Sequence, residues 1–218
     1  MVIDFHSHTV SSDGLLVPAE AVRRAEVLGY RALGLSDHVD FSNIERIIEE
    51  TLRVCRRLNG SGGPTVLAGI EITHVPPDLI PELVVLGRKL GARPVIVHGE
   101  TSVEPVRPGT NRAAIEAGAD ILAHPGFISD EDCRLAARKG VALELSGRKG
   151  HCLTNGHVAR KAREFQVSLM ANSDAHAPED LLTAERWRAI GLGAGLTEAE
   201  WLRIEDFSRS LLEQWAVR

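Results

Sequence analysis

Asp4-Phe5-His6-Ser7-His8 ends the first apolar run of the chain, Val2 to Phe5. Side chains alternate along a strand, so His6 and His8 point to one face. Two imidazoles on one face at a strand end can chelate a single ion. A lone His-x-His is weak evidence, but later runs repeat the signal. Ala32 to Ser36 leads into Asp37-His38, and Thr65 to Ile72 carries Gly69-Ile70-Glu71. Pro94 to Val97 leads into His98-Gly99-Glu100, and Ile121 to Ala123 into His124-Pro125-Gly126. Val141 to Leu145 leads into Ser146-Gly147-Arg148, and Ser168 to Ala171 into Asn172-Ser173-Asp174-Ala175-His176. Asp13 follows the first run in Ser12-Asp13-Gly14.

Between these runs lie stretches with helical spacing: Ala19 to Leu28, Ile44 to Leu58, Leu79 to Leu90, Asn111 to Ala117, Asp130 to Arg138 and Gly156 to Phe165. Pro178 to Ala189 and Glu198 to Trp215 follow, and Asn43, Ser129 and Thr197 stand where N-caps belong. Strands alternating with helices predict parallel βαβ units. The expected fold is therefore α/β: a distorted (β/α)7 TIM-like barrel of parallel strands, with an open doubly wound sheet as the alternative. The placement of the polar residues decides for the barrel, because the C-terminal edge of its strands is the active-site face. Residues 1–218 are expected to form one domain, with C-terminal helices in 178–215 packed on the barrel. Trp201, Phe207, Leu211, Leu212 and Trp215 would supply that contact.

Composition narrows the function. The 218 residues suffice for one sizeable core, and 44% apolar residues are enough to fill it. The net charge of −5 argues against a protein held to nucleic acid by electrostatics, but allows a small anionic substrate held by metals. No apolar run reaches membrane-spanning length, and the first residues lack the basic and apolar regions of a secretory signal. Three cysteines, Cys55, Cys133 and Cys152, make no disulfide framework. A cytoplasmic protein without a membrane partner is expected. Nine histidines are many for this length, and the imidazoles and carboxylates that converge from the strand ends would be costly to bury without a cation. A mixed imidazole and carboxylate set suits zinc, manganese or iron.

The order His-x-His, Asp-Gly, Asp-His, Gly-Ile-Glu, His, His-Pro-Gly and Asp-x-His, from Asp4 to His176, resembles the polymerase and histidinol phosphatase (PHP) family. The resemblance implies a seven-stranded barrel, two to three divalent metals at its C-terminal face, and hydrolysis of phosphate esters. Carried over by motif, His6, His8, Glu71 and Asp174 would hold a first metal. Glu71 would bridge to a second metal held by His98 and His124, and His38 and His176 would hold a third with Asp13. The implied enzyme is a phosphatase of the EC 3.1.3 type, similar to histidinol phosphatases. It would attack small phosphomonoesters with a metal-bridging hydroxide in a trinuclear site. Glu71, Asp174, His38 and Asp13 are the expected catalytic side chains: Asp174 would orient the water, while Asp13, His38, His176 or a metal-bound water would protonate the leaving group.

The substrate would need further anchors. Arg148, after the sixth run, could clamp phosphate bidentately, and Arg112 could do so from the loop after the fourth. Asn155 and His157 open a helix whose N-terminus could bind an anion. His151 is read as a further substrate contact, and His74 as a loop residue beside the site. Asp4, Asp37 and Glu100 could fix the tautomers of neighbouring ligand imidazoles, and Glu144 could support a ligand from inside the barrel. The rivals are a PHP-type nuclease or phosphodiesterase (a 3′–5′ exonuclease, with nucleic acid entering only as substrate), an amidohydrolase-like or TatD-like hydrolase, and a non-catalytic barrel scaffold like the ribonuclease P protein that resembles this family.

Overall fold

The computed structural model describes residues 1–216, so residues 217 and 218 of the expected 1–218 span lie outside the described residues. The strands are β1 (Ile3–Ser7), β2 (Ala32–Leu35), β3 (His38–Val39), β4 (Thr65–Ala68), β5 (Ile70–Ile72), β6 (Val95–His98), β7 (Ile121–Ala123), β8 (Ala142–Ser146) and β9 (Leu169–Asn172). The helices are α1 (Pro18–Val27), α2 (Ile44–Leu58), α3 (Ile80–Leu90), α4 (Thr110–Ala117), α5 (Asp130–Lys139), α6 (Asn155–Phe165), α7 (Ala184–Gly193) and α8 (Glu198–Trp215).

Every strand pair is parallel, in the orders β1-β2-β4 and β3-β5-β6-β7-β8-β9. Ser36-Asp37 separates β2 from β3, and Gly69 separates β4 from β5. Each pair is thus one kinked strand, and seven strands run round the barrel. The kink is shared, because Gly69 N–H still donates to Leu35 O and Glu71 N–H to Asp37 O. The ring closes where His8 N–H donates to Ala175 O, Asp174 N–H to His6 O, and Phe5 N–H to the Asn172 side-chain oxygen. At Gly34 a Cβ would run into the backbone of Phe5, so β1 and β2 can pack this closely only around glycine.

The apolar interior has two parts. A larger shell lies between strands and helices and includes Leu33, Leu35, Ile70, Ile72, Leu143 and Leu145. A smaller one fills the barrel itself with Ile3, Phe5, Leu67, Ile96, Ile121 and Met170. Leu212 of α8 belongs to this inner set, with Phe207, Leu211 and Trp215 packed against it. The Trp215 ring meets Phe5 edge-on at 5.0 Å. Full burial of Leu212 stabilises by about 1.5–3 kcal/mol, and the half-buried Phe207, Leu211 and Trp215 add to it, which is why the C-terminal helix stays on the bottom of the barrel.

Strand alternation explains what lies above this plug. Two residues further along, Ile96 gives way to His98, Ala142 to Glu144 and Met170 to Asn172, all on the inner face. On β1 the register slips between Asp4 and Ser7, which turns His6 and His8 toward the inner face that Ile3 and Phe5 occupy below.

Two local expectations need correction. Asn43 does not cap α2 with its side chain; it accepts from Asp40 N–H and donates to His38 O instead. The helix expected over Pro178 to Ala189 is broken: a 3-10 turn, Pro178–Asp180, precedes α7. The Asp180 carboxylate closes that turn by accepting from His176 and Ala177 N–H, and Thr183 caps α7 through Arg186 N–H. Ser129 and Thr197 cap α5 and α8, Thr197 in a reciprocal box with Glu200.

Candidate metal centre

The polar residues of the inner face and the loops above it meet in a cavity of about 220 Å³ at the C-terminal ends of the strands. A larger cleft, about 420 Å³, lies between α6 and α8 and carries no histidine; its wall includes the Arg163–Glu200 ion pair.

Glu71 on β5 is fully buried at the centre. Its Oε2 lies 2.8 Å from His38 Nδ1 and 3.7 Å from His8 Nε2, while Oε1 lies 3.4 Å from His6 Nε2 and 3.6 Å from His124 Nε2. Asp174, after β9, faces the same imidazoles from the other side: Oδ1 is 3.3 Å from His8 Nε2 and 3.8 Å from His6 Nε2, and Oδ2 is 3.5 Å from His124 Nε2. Asp13 is half exposed at the mouth, with Oδ1 3.2 Å from His176 Nε2 and 3.4 Å from His38 Nε2. Five clusters whose ligand atoms lie within 4.8 Å of one another result among the described residues: His6/His8/Glu71, His6/His124/Asp174, His8/Asp13/His38/His176, His98/His124/His151 and His74/His98/Glu104.

These side chains fit a metal. Buried His6 Nε2, both His8 ring nitrogens, Glu71 Oε1 and His124 Nδ1 have no hydrogen-bond partner, and each orphaned group costs about 1–3 kcal/mol. Two ligands bound at about 2.0–2.1 Å to one tetrahedral ion stand about 3.4 Å apart, close to the 3.3–3.8 Å that separate Glu71 and Asp174 from His6, His8 and His124. The backbone holds this crowding under strain. His74, His124 and Asp174 have φ of 55°, 27° and 55°, in the left-handed region that costs a non-glycine residue about 1–3 kcal/mol.

The charges are strongly coupled. Burial opposes a charge on His6, but Glu144, Glu71 and Asp174 outweigh it and raise the imidazole well above its ordinary range. Burial likewise disfavours protonated His38, yet Glu71 and Asp13 push it up to about 10. His8 goes down to about 3, because burial dominates and the imidazoles of His38 and His6 add to it. For Glu71 and Asp174 burial alone would raise the carboxyl; the surrounding imidazoles win and hold both low.

The raised imidazoles give the metal-free protein a pH signature. A histidine raised from 6.5 to about 10 adds stability that is complete below pH 6.5 and lost as pH rises through 10. For chelator-treated protein, the unfolding midpoint is expected to fall between pH 6.5 and 10. His38 is partly exposed, so its share is on the order of a few kcal/mol, or roughly 5–10 °C. Differential scanning fluorimetry across that window checks this; a midpoint flat to pH 10 contradicts it.

Around the cluster, Glu144 Oε1 lies 2.8 Å from His6 Nδ1 and accepts from Asn172 Nδ2, and its Oε2 accepts from His124 N–H. Arg148 lines the cavity and its Nη1 donates to Asp174 O at 3.4 Å. Other expected contacts stand elsewhere. Arg112 is drawn onto α5, where its guanidinium pairs with Asp132 and Glu131. Both ends of the Asn155 amide are used by the Ser146 backbone, and His157 Nε2 sits 3.0 Å from Ile128 O. Asp4, Asp37 and Glu100 hold no imidazole. Asp4 accepts from His6 and Ser173 N–H, Asp37 from Thr9 and Ser12, and Glu100 from Gly109 and Asn111 N–H at the start of α4. In their place Glu104, to which the sequence reading assigned no role, reaches the site and lies 3.1 Å from His98, 3.3 Å from His151 and 3.3 Å from His74.

Comparison with known proteins places this architecture. No family model matches the chain. It is 48% identical over 202 residues to an uncharacterized protein of Methanocaldococcus jannaschii, covering 92% of this chain and 93% of that one. It is 25% identical to a probable phosphatase of Thermoanaerobacter sp., over 91% of this chain and 88% of the relative. It is 28% identical to ribonuclease P protein component 3 of Methanosarcina acetivorans, over 91% and 83%. Among solved structures, a chain of archaeal ribonuclease P with mature tRNA superposes with a TM-score of 0.72 at 18% identity, covering 96% of this chain and 90% of that one. A putative histidinol phosphatase of Listeria monocytogenes superposes at 0.59 and 11% identity, over 83% and 97%. These likenesses agree with the parallel strand order and the polar upper rim in a PHP-like, TIM-like barrel, and the chain belongs to the family of the Methanocaldococcus jannaschii protein.

Proposed function

We propose that this chain is a PHP-family phosphoesterase that uses two to three divalent metals, zinc, manganese or iron, to hydrolyse a small phosphate monoester. The observation that carries the reading is the convergence of His6, His8, Asp13, His38, Glu71, His98, His124, Asp174 and His176 on one cavity, with unpartnered ring nitrogens between two buried carboxylates. The similarity to a probable phosphatase over 91% of the chain supports it.

His6, His8, Glu71 and Asp174 would hold one ion, Glu71, His98 and His124 a second, and Asp13, His38 and His176 a third. Bound divalent metals supply Lewis acidity that neutralises phosphoryl oxygens and acidifies water. Arg148 is positioned to grip the phosphoryl group with two parallel N–H donors. Asp174, whose oxygens face the cavity centre, orients the attacking water. Asp13 and His176 stand at the mouth, where a departing alkoxide collects its proton. The phosphoryl group would sit in this cavity of about 220 Å³, with the rest of the substrate toward the mouth at Asp13 and His176. A histidinol-phosphate-like monoester fits that description. No helix among the described residues is long and apolar enough to cross a membrane; we place the enzyme in the cytoplasm.

A second reading rests on the 28% identity to a ribonuclease P component: the barrel as a subunit of an RNA-processing assembly, or a nuclease. The net charge of −5 and the intact donor set favour the phosphatase. Elemental analysis of protein purified without chelator, with p-nitrophenyl phosphate turnover before and after metal removal, tests this. Two to three metals per chain and at least about 100-fold loss on chelation are expected. Metal-dependent cleavage of single-stranded nucleic acid without phosphomonoesterase turnover would favour the nuclease. No metal after reconstitution would overturn the enzyme reading.

A further inference from the structure

We propose that His151 and Glu104 are metal ligands, so that the ion held by Glu71, His98 and His124 has a set of three imidazoles and two carboxylates. The inference rests on the metal-dependent reading above and adds two residues that its donor set lacks.

His151 follows β8, is 3% exposed, and lies with its Nδ1 2.7 Å from Thr101 Oγ1. That contact leaves Nε2 as the atom aimed into the site, 3.3 Å from Glu104 Oε1 and 4.0 Å from Asp174 Oδ2. Its ring stacks on His124 with centroids 4.1 Å apart. His98 is fixed in the same sense: Nδ1 lies 3.1 Å from Gly99 O, so Nε2 faces the site, 3.1 Å from Glu104 Oε2. One oxygen of Glu104 thus addresses each imidazole through the nitrogen that its backbone or threonine partner leaves free. Ligand nitrogens of His98, His124 and His151 lie within 4.8 Å of one another. A nearby ring nitrogen, His124 Nδ1, is buried without a partner.

Fixing one ring nitrogen by an outer hydrogen bond and presenting the other is how proteins orient imidazole ligands. Three imidazoles make this position richer in nitrogen than the one around Glu71 and Asp174, and so better suited to zinc or cobalt than to manganese. His74 Nε2 also reaches Glu104, at 3.3 Å, and offers a competing triad with His98. His74 is exposed and His151 is not, which favours His151.

Titration of the metal-free full chain with Zn2+ and with Co2+ tests the assignment. His151→Gln, Glu104→Gln and His74→Ala are compared with the wild type by elemental analysis after gel filtration and by the visible Co2+ spectrum. Either of the first two is expected to lose one metal equivalent per chain, or to bind Co2+ at least about 100-fold more weakly, with a changed spectrum. Glu104 sits on the loop before α4, so Glu104→Gln reads ligation without disturbing the core. Unchanged stoichiometry and spectrum in both variants would overturn the assignment and leave the wider reading intact, as would loss confined to His74→Ala. A wild type that takes up neither ion would overturn both.

Discussion

Glu71→Ala is expected to lower phosphomonoester turnover by at least about 1,000-fold while the barrel still forms. The side chain is fully buried and lies within 3.7 Å of four imidazoles, those of His6, His8, His38 and His124. Asp174 is the other carboxylate set among so many, with five imidazoles within 4.0 Å. Without Glu71, neighbouring ligand groups lose their shared anion, and bound cations would repel one another across an apolar gap. Several kcal/mol of transition-state stabilisation then disappear, at about 1.4 kcal/mol per tenfold in rate. The fold survives because strand pairing and the inner plug of Phe5, Leu67, Ile96 and Met170 lie below Glu71. Glu71→Gln separates shape from charge: it keeps the volume and loses the anion, so it should be nearly as inactive as the alanine variant. Turnover of reconstituted protein, metal content and far-UV circular dichroism on the same samples decide the matter. Either variant working within tenfold of wild type would remove Glu71 from the mechanism.

The barrel was legible in the sequence because each strand is a short apolar run that stops at a charged or imidazole side chain. That alternation survives in the structure as an apolar lower layer and a polar upper one. The kinks at Ser36-Asp37 and at Gly69 were not legible, because they come from the pairing of two strands with each other. The break before α7 was hidden for a similar reason: the Asp180 side chain turns back on His176 and Ala177 N–H, which spacing does not reveal. At the site, the residues that meet in the cavity and were named in advance sit at strand ends or in short loop motifs. Glu104 carried no such mark, since Val103-Glu104-Pro105 lies on an irregular loop and only its fold over the mouth brings it to His98. Arg112 fails in the opposite way. It comes after a strand in chain order, but it stands within α4, and Asp132 on the next helix takes its guanidinium.

Glu144→Ala should cost both stability and metal affinity, since the residue joins two structures that rarely depend on one side chain. On the inner face of β8 its carboxylate serves His6 Nδ1 at 2.8 Å, Asn172 Nδ2 at 2.8 Å and His124 N–H at 3.2 Å. Asn172 in turn accepts from Phe5 N–H, so Glu144 braces the seam where β9 meets β1 and closes the ring. Removing one partner of a buried charged network costs about 3–5 kcal/mol, which lowers the unfolding midpoint by roughly 6–20 °C at this chain length. The same carboxylate fixes His6 with Nε2 toward Glu71 and Asp174. Loss of such an orienting partner weakens a metal by about 10–100-fold. A purely structural role would move the melting midpoint and leave the affinity of the folded protein alone, so Zn2+ titration below the melting range separates the two. Glu144→Gln retains one acceptor oxygen and should recover part of the stability without the charge that raises His6. Wild-type metal affinity in folded Glu144→Ala would confine this residue to the seam; wild-type stability as well would mean that the ring closes through the backbone bonds of His8 and Asp174 alone.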